Sequence, residues 1–169
     1  MSIVNNLRIY DINRRLYPEI INSMPNVKAS IINYSDFYYV SINNYLRKIK
    51  STVELSEKDL SDIRFQITNL DNAINIYQDL LHEYKLDRTL KVYRILHFRD
   101  REIQEKEMSK FESGIYLDEG FMSSSIKPNG YQTLGSSIKL EIDLTTLNYG
   151  AFIGNLSKFR TESEFLIRR

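Results

Sequence analysis

The sequence has no cysteine, no tryptophan and only two histidines among its 169 residues. The absence of cysteine excludes disulfides, thiolate nucleophiles and cysteine metal sites. Because His82 and His97 are the only histidines, a zinc site and a Ser-His-Asp triad are both disfavoured. The composition therefore predicts no metal centre.

An excess of one charge and long apolar runs are also missing. The net charge is +1, so no strong field favours nucleic acid or a membrane surface as partner. No apolar run approaches the ~20 residues that cross a bilayer, and the N-terminus lacks the apolar core of a signal peptide. At 42% hydrophobic and 27% charged, the chain is typical of a soluble globular protein. We expect it to act in a cytosol.

Glycine is scarce, and all six glycines lie between positions 114 and 154. The half without glycine has a helical pattern. Ser56 followed by Asp59 predicts a capping box, and apolar residues then recur every three or four positions as far as Tyr84. Asn69 and Asp71 leave open whether this is one helix or two. An earlier segment, residues 36–50, also fits a helix.

The second half has the pattern of strands separated by turns. Residues 137–144 alternate, with Ile138, Leu140, Ile142 and Leu144 inward. Further strands are predicted at 90–98, 151–154 and 163–167, and the charge-dense residues 99–112 are predicted to form a solvated helix or loop. Helices followed by strands predict an α+β fold. We expect one domain, 1–169, with a helical part at about 1–88 and a β-rich part at about 89–169.

Three polar features stand where apolar residues are expected: Tyr93-Arg94 in a strand, 121-FMSSS-125 after a turn, and Glu162-x-Glu164 at the start of the last strand. Each is weak alone, because strand arginines usually make surface ion pairs and serine runs are usually loops. The side-chain period of two puts Glu162 and Glu164 on one face of the strand. That face is compatible with solvent or with a shared site.

Together and in this order, the three features resemble the toxin-type mono-ADP-ribosyltransferases with an Arg, Ser-Thr-Ser, Glu-x-Glu signature. That group includes clostridial binary actin-modifying toxins and vegetative insecticidal proteins. Ser124 stands where the signature usually has threonine. The resemblance extends upstream and covers about residues 34–167, through Tyr34, Tyr39, Asn43, 45-YLR-47 and 70-LDNAI-74. It implies helices packed on a mixed, mainly antiparallel two-sheet β core.

The resemblance implies NAD as substrate and assigns roles to individual residues. Glu164 matches the catalytic glutamate that holds the ribose 2′-hydroxyl, and Ser123 would orient it. Arg94 would hold a phosphate of NAD, for which a planar charged fork is suited. Further NAD contacts are implied for Tyr39, Asn43 and Ser125.

The other glutamate bears on the acceptor of ADP-ribose. An acceptor arginine is a poor nucleophile because its pKa exceeds ~12, so it needs a carboxylate to position it and to take a proton. Relatives with glutamate at the position of Glu162 tend to modify arginine, which predicts an arginine acceptor. Phe159 matches an aromatic residue that relatives use for target recognition. Actin is the first guess for the target.

The chain also departs from the family pattern. Relatives carry an arginine in the strand after the serine motif, where this chain has Ser136 or Ser137, and Arg99 is a candidate substitute. Ile95 replaces a usual glycine. Relatives continue into a further strand, whereas this sequence stops at Arg169, which leaves open that it is an incomplete version of the gene product.

Two other functions are compatible with the sequence: an NAD glycohydrolase on the same fold, and a non-enzymatic interaction module whose motif residues are structural. For the transferase we expect secretion or delivery into a target cell and action in its cytosol. A delivery partner would not be encoded in this chain.

Overall fold

The computed structural model describes residues 8–49, 55–86, 90–98, 100–112, 118–128, 137–144, 150–158 and 163–168. Glu162 and Phe159, predicted to handle the acceptor, lie outside these ranges, as do Arg99 and Ser136. The described residues confirm the α+β fold, with helices first and strands after.

The N-terminal helices are short and include two π-helical turns, here named π1 and π2. In chain order the elements are π1 (Ile12–Leu16), α1 (Tyr17–Asn22), α2 (Pro25–Asn33), π2 (Tyr34–Tyr38) and α3 (Tyr39–Leu46). The prediction for residues 36–50 is thus confirmed in its centre. Pro25 at the first turn of α2 suits its position, because the residue before it is not helical and the missing N–H has no helical partner there.

One long helix, α4 (Glu57–Glu83), forms the centre of the helical layer. The predicted capping box is confirmed, since Ser56 Oγ accepts from Asp59 N–H at 3.2 Å and the Asp59 carboxylate accepts from Ser56 N–H at 3.0 Å. Asn69 does not break the helix. Its side chain is buried and donates to Ser30 Oγ at 3.0 Å, so tertiary contact overrides its weak helix propensity.

The described strands are β1 (Leu90–His97), β2 (Met122–Ser125), β3 (Ser137–Leu144), β4 (Gly150–Phe152) and β5 (Glu164–Ile167). They form one antiparallel sheet in the order β3-β1-β2-β5-β4. The β3–β1 ladder and the β2–β5–β4 ladder meet at a single residue pair, Tyr93 and Ser125. The two sheets expected from the resemblance therefore correspond to these two ladders, which are joined at one residue pair into a single sheet. The charge-dense segment forms a helix, α5 (Arg101–Glu112).

Aromatic contacts join the helical layer to the sheet. Tyr77 of α4 packs edge-on against Tyr17 at 5.2 Å and against Phe165 of β5 at 6.2 Å between ring centroids. The strand that carries Glu164 thus packs against the central helix α4 through Phe165. Among the described residues, no helix is long and apolar enough to cross a membrane.

Candidate active site

Strands β2 and β5 bring Ser123 and Glu164 together. Ser125 lies opposite Glu164, and Ser123 lies opposite Leu166, so Ser123 and Glu164 are diagonal neighbours on one face. Ser123 Oγ donates to Glu164 Oε1 at 2.5 Å. Glu164 is only 4% exposed. Burying a carboxylate costs free energy unless the carboxylate is hydrogen-bonded or paired with a positive charge.

The backbone around Glu164 is held from both sides. Ser163, directly before it, has φ = 52°, in the left-handed region that non-glycine residues seldom adopt. The Ser163 carbonyl accepts from Ile126 N–H at 3.2 Å, and the Glu164 carbonyl accepts from Ile153 N–H at 3.0 Å. These two hydrogen bonds hold the unusual backbone conformation in place and thereby fix the position of the Glu164 Cα, from which the side chain extends.

Arg94 of β1 reaches the same serine from the neighbouring strand. Its Nη1 donates to the backbone carbonyl of Ser123 at 2.6 Å. Its Nε is buried and has no hydrogen-bond partner within the described ranges. Buried N–H groups of this kind are nearly always paired, so an anionic ligand at Arg94 would complete the site.

A buried cluster holds Phe121, two residues before Ser123. Asn43 Nδ2 donates to the Phe121 carbonyl at 3.1 Å, and Asn43 Oδ1 accepts from Phe121 N–H at 2.9 Å. The Tyr34 hydroxyl donates to the same carbonyl at 3.1 Å and accepts from Asn43 at 3.2 Å. The backbone N–H and the backbone carbonyl of Phe121 are thereby both hydrogen-bonded to side chains of the helical layer.

The pKa of the Tyr34 hydroxyl depends on its burial and on the charged groups around it. Burial raises the pKa of Tyr34, and the negative charge of Glu164 raises it further, while Asn43 and the positive charge of Arg94 lower it. Arg94 and Glu164 therefore both act on one hydroxyl. The site combines a cation and a carboxylate around the β2 serine.

A second contact, between Arg47 and Asp118, fixes the turn before β2. Arg47 Nε and Nη2 donate to the two oxygens of Asp118 at 2.7 and 2.8 Å, and Gly120 N–H donates to Asp118 Oδ1 at 2.9 Å. A Cβ at Gly120 would lie 2.9 Å from Asn43 Oδ1 and 3.0 Å from the Arg47 guanidinium. Only glycine lets the turn approach the helix this closely.

This contact predicts a pH-dependent contribution to stability. Burial pushes the pKa of Asp118 upward, but the hydrogen bonds from Arg47 and Gly120 N–H, together with the positive charges of Arg47 and Arg94, outweigh it, so its pKa lies below the ordinary 3.8. A carboxyl whose pKa is lowered by folding stabilises the fold above its unfolded pKa and loses that contribution as pH falls through its folded pKa. We expect Asp118→Asn to lower the unfolding free energy at pH 7 by about 1–3 kcal/mol.

Chemical denaturation at pH 7 down to pH 3 measures this contribution. The difference between wild type and Asp118→Asn should shrink below pH 3.8. Asp143→Asn is the control, because Asp143 is 57% exposed and 3.9 Å from its lysine. A difference that stays constant down to pH 3 contradicts the assignment.

The other residues predicted to contact NAD, Tyr39, Ser125 and Asn43, differ in their exposure and in their hydrogen bonds. Tyr39 is 47% exposed, and its ring stands edge-on to Tyr34 with centroids 6.4 Å apart. Ser125 is fully buried, and its Oγ accepts from Lys127 N–H at 3.0 Å. Both amide hydrogens of Asn43 are donated within the cluster. NAD contacts for Tyr39, Asn43 and Ser125 stay predictions.

Sequence reasoning missed the pairing of Arg47 with Asp118, which are 71 positions apart. It placed Tyr34 and 45-YLR-47 in a matching helix without a role for their side chains. An aspartate two residues before a glycine, as in 118-DEG-120, was the available signal, since such aspartates often bond the turn backbone. In the described part of the chain, no three histidine, aspartate or glutamate side chains cluster as metal ligands.

Arg94, Ser123 and Glu164 lie on the neighbouring strands β1, β2 and β5, which is the arrangement expected from the resemblance to toxin-type mono-ADP-ribosyltransferases. The family model of the ADP-ribosyltransferase exoenzymes matches residues 6–169, and the chain belongs to this family. It is therefore a transferase that uses NAD. Among solved structures, the chain is similar to the ADP-ribosyltransferase HopU1 of Pseudomonas syringae pv. tomato DC3000.

The match to HopU1 has a TM-score of 0.65 and 18% identity, and it covers 98% of this chain and 77% of that one. At this identity, the likeness shows the fold. A comparison with curated proteins finds no match.

Proposed function

We propose that this protein transfers ADP-ribose from NAD to an arginine side chain of a target protein. The observation that carries the proposal is the 2.5 Å hydrogen bond from Ser123 to the buried carboxylate of Glu164. Arg94, bonded to the same serine, supplies the positive charge for a phosphate of NAD. The family match supports the use of NAD.

In the first half of the reaction, the bond between the ribose C1′ and the nicotinamide nitrogen breaks. Its electron pair goes to nicotinamide, which leaves as a neutral base, and positive charge develops on the ribose as in glycoside cleavage. The buried carboxylate of Glu164 holds the ribose 2′-hydroxyl and stabilises that charge. Ser123 keeps this carboxylate in one orientation.

In the second half, a guanidine nitrogen of the target bonds to C1′ and loses a proton. Glu162, one residue upstream of Ser163, is the proposed acceptor of that proton, and Phe159 is the proposed contact with the target. This assignment rests on the Glu-x-Glu pattern. Tyr39 is exposed beside Tyr34 and is available to contact NAD.

The proposed setting is the cytosol of a target cell, which the protein reaches by secretion or delivery. Membership of an exoenzyme family supports this setting. Actin is the first target to test, because it is the target of the binary toxins that the sequence resembles. A delivery partner would be a separate protein.

The test is incubation of the protein with NAD labelled in its adenylate half and a eukaryotic lysate. We expect at least one labelled protein band, with ADP-ribose on an arginine when that band is analysed by mass spectrometry. Purified actin serves as a defined acceptor in a parallel reaction. Label on a residue other than arginine contradicts the acceptor assignment.

The same assay separates the alternatives. Release of nicotinamide with no labelled protein favours an NAD glycohydrolase, in which water replaces the guanidine. No NAD turnover under any condition favours an interaction module that has kept the fold without the activity.

A further inference from the structure

The sheet opens between β1 and β2 at the serines of the candidate site. Within the described ranges, these two strands pair only at Tyr93 and Ser125. Ser123, two residues earlier on β2, pairs with β5 alone. From the β1 side, the Arg94 side chain donates to the Ser123 carbonyl. The start of β2 thus has a backbone ladder on one side, and its position on the other side depends on contacts with side chains.

Two residues at the end of α3, one helical turn apart, hold the segment that leads into β2. Arg47, the C-cap residue of α3, donates its N–H to the Asn43 carbonyl at 2.9 Å, so the two side chains lie on one face. Asn43 bonds both backbone groups of Phe121, and Arg47 bonds both carboxylate oxygens of Asp118. The segment 118–121 is therefore attached along one face of α3.

Asp118 joins this segment to α3 in two ways. Its Oδ1 accepts from Gly120 N–H at 2.9 Å, which closes the turn, and its two oxygens accept from Arg47, which attaches the turn to the helix. A bidentate pair of this kind fixes direction as well as distance. The side chains of Asp118 and Arg47 are 10% and 31% exposed, so water screens the pair only in part. Asp118 thereby sets where the chain enters β2.

We propose that Asp118 is a positioning residue for NAD cleavage, which acts through Ser123 on the Glu164 carboxylate. The inference rests on the proposed function, because it assigns the cleavage step to Glu164. Asp118 fixes the turn, and the turn fixes the backbone of Phe121. Ser123 follows two residues later, with its hydroxyl 2.5 Å from Glu164 Oε1. A displacement of about 1 Å would break that bond and lower the rate of the chemical step.

The first test is the kinetics of nicotinamide release by Asp118→Asn without a target protein. Asparagine keeps an oxygen that accepts from Gly120 N–H, but it loses the charged, bidentate bond to Arg47. We expect kcat to fall about tenfold and the KM for NAD to stay within about twofold of wild type. The positive charge of Arg94 also lowers the pKa of Asp118, so the two groups act on each other. A lower KM with an unchanged kcat would mean that Asp118 affects NAD binding through Arg94, and it would overturn the positioning role.

Ser30→Ala controls for a general loss of stability. It removes the acceptor of the buried Asn69 amide in the contact between α2 and α4. We expect its melting temperature to fall by several degrees, as in Asp118→Asn, and its kcat to stay at the wild-type value. An equal loss of kcat in Ser30→Ala overturns the positioning role, because the loss would then follow stability.

Asp118→Glu separates position from charge. Glutamate keeps the charge beside Arg47, but its longer side chain does not fit the two-residue turn to Gly120 N–H while holding Arg47 at the same distance. We therefore expect kcat to fall about tenfold in this variant also. Wild-type kcat in Asp118→Glu would mean that the charge alone matters, and it would overturn the positioning role.

The second test is a double-mutant cycle between Asp118→Asn and Ser123→Ala. Because Asp118 acts through the Ser123 hydroxyl, the loss of kcat caused by Asp118→Asn should shrink from about tenfold to about twofold or less when that hydroxyl is absent. The same tenfold loss in both backgrounds overturns action through Ser123 while the proposed function stands. A wild-type protein that releases no nicotinamide overturns the proposed function, and the positioning role with it.

Discussion

Glu164→Gln should lower nicotinamide release from NAD by at least about 10²–10³-fold, and protein labelling with it. The substitution keeps the shape of the side chain and an oxygen that accepts the Ser123 hydroxyl. It removes the negative charge that faces the developing positive charge on the ribose. Steady-state release of nicotinamide, measured at saturating NAD, gives the effect on the chemical step.

Folding and general charge are controlled in the same experiment. Glu141→Gln removes a glutamate charge that is 53% exposed on β3, and it should keep full activity. The melting temperature of Glu164→Gln should stay close to that of wild type, since the hydrogen bond to Ser123 is retained. A Glu164→Gln protein that releases nicotinamide at the wild-type rate contradicts the assigned mechanism.

Glu162→Gln should separate the two halves of the reaction. We expect protein labelling to fall by about 10²-fold or more, because the guanidine of the target loses the base that takes its proton. Nicotinamide release without a target should stay within about twofold of wild type, because bond cleavage depends on Glu164. Labelling is read from a reaction with target protein and NAD labelled in its adenylate half, and nicotinamide release from a parallel reaction without target and with NAD labelled in its nicotinamide half.

Glu119→Gln is the matched control for this variant. Glu119 is 61% exposed and stands in the turn before β2, 3.9 Å from Lys48. Its loss changes the net charge equally and should leave labelling intact. Parallel loss of labelling and nicotinamide release in Glu162→Gln would mean that both glutamates serve NAD cleavage.

Local patterns in the sequence predicted local structure well. The alternation in residues 137–144 predicted the exposed and inward faces of β3, because the side-chain period of a strand is two. Ser56 and Asp59 predicted the start of α4, because a capping box is complete within four residues. Both features depend on neighbours in the chain.

Contacts between distant segments could not be predicted in this way. Asn69 left the continuity of α4 open, since the hydroxyl that satisfies it belongs to Ser30, 39 positions away. The Arg47–Asp118 pair is equally invisible from spacing alone. Arg94, Ser123 and Glu164 were placed in one site only through resemblance to a family, because their separations of 29 and 41 positions carry no physical rule.

The central claim is that Arg94, Ser123 and Glu164 form the NAD site. The most direct test of this claim is a crystal structure with a non-hydrolysable NAD analogue. The account predicts a phosphate bonded to the Arg94 guanidinium, with its Nε as one donor, and a ribose hydroxyl on the Glu164 carboxylate. It also predicts that Ser123 keeps its bond to Glu164. A nucleotide bound away from Arg94 and Glu164 would contradict the account.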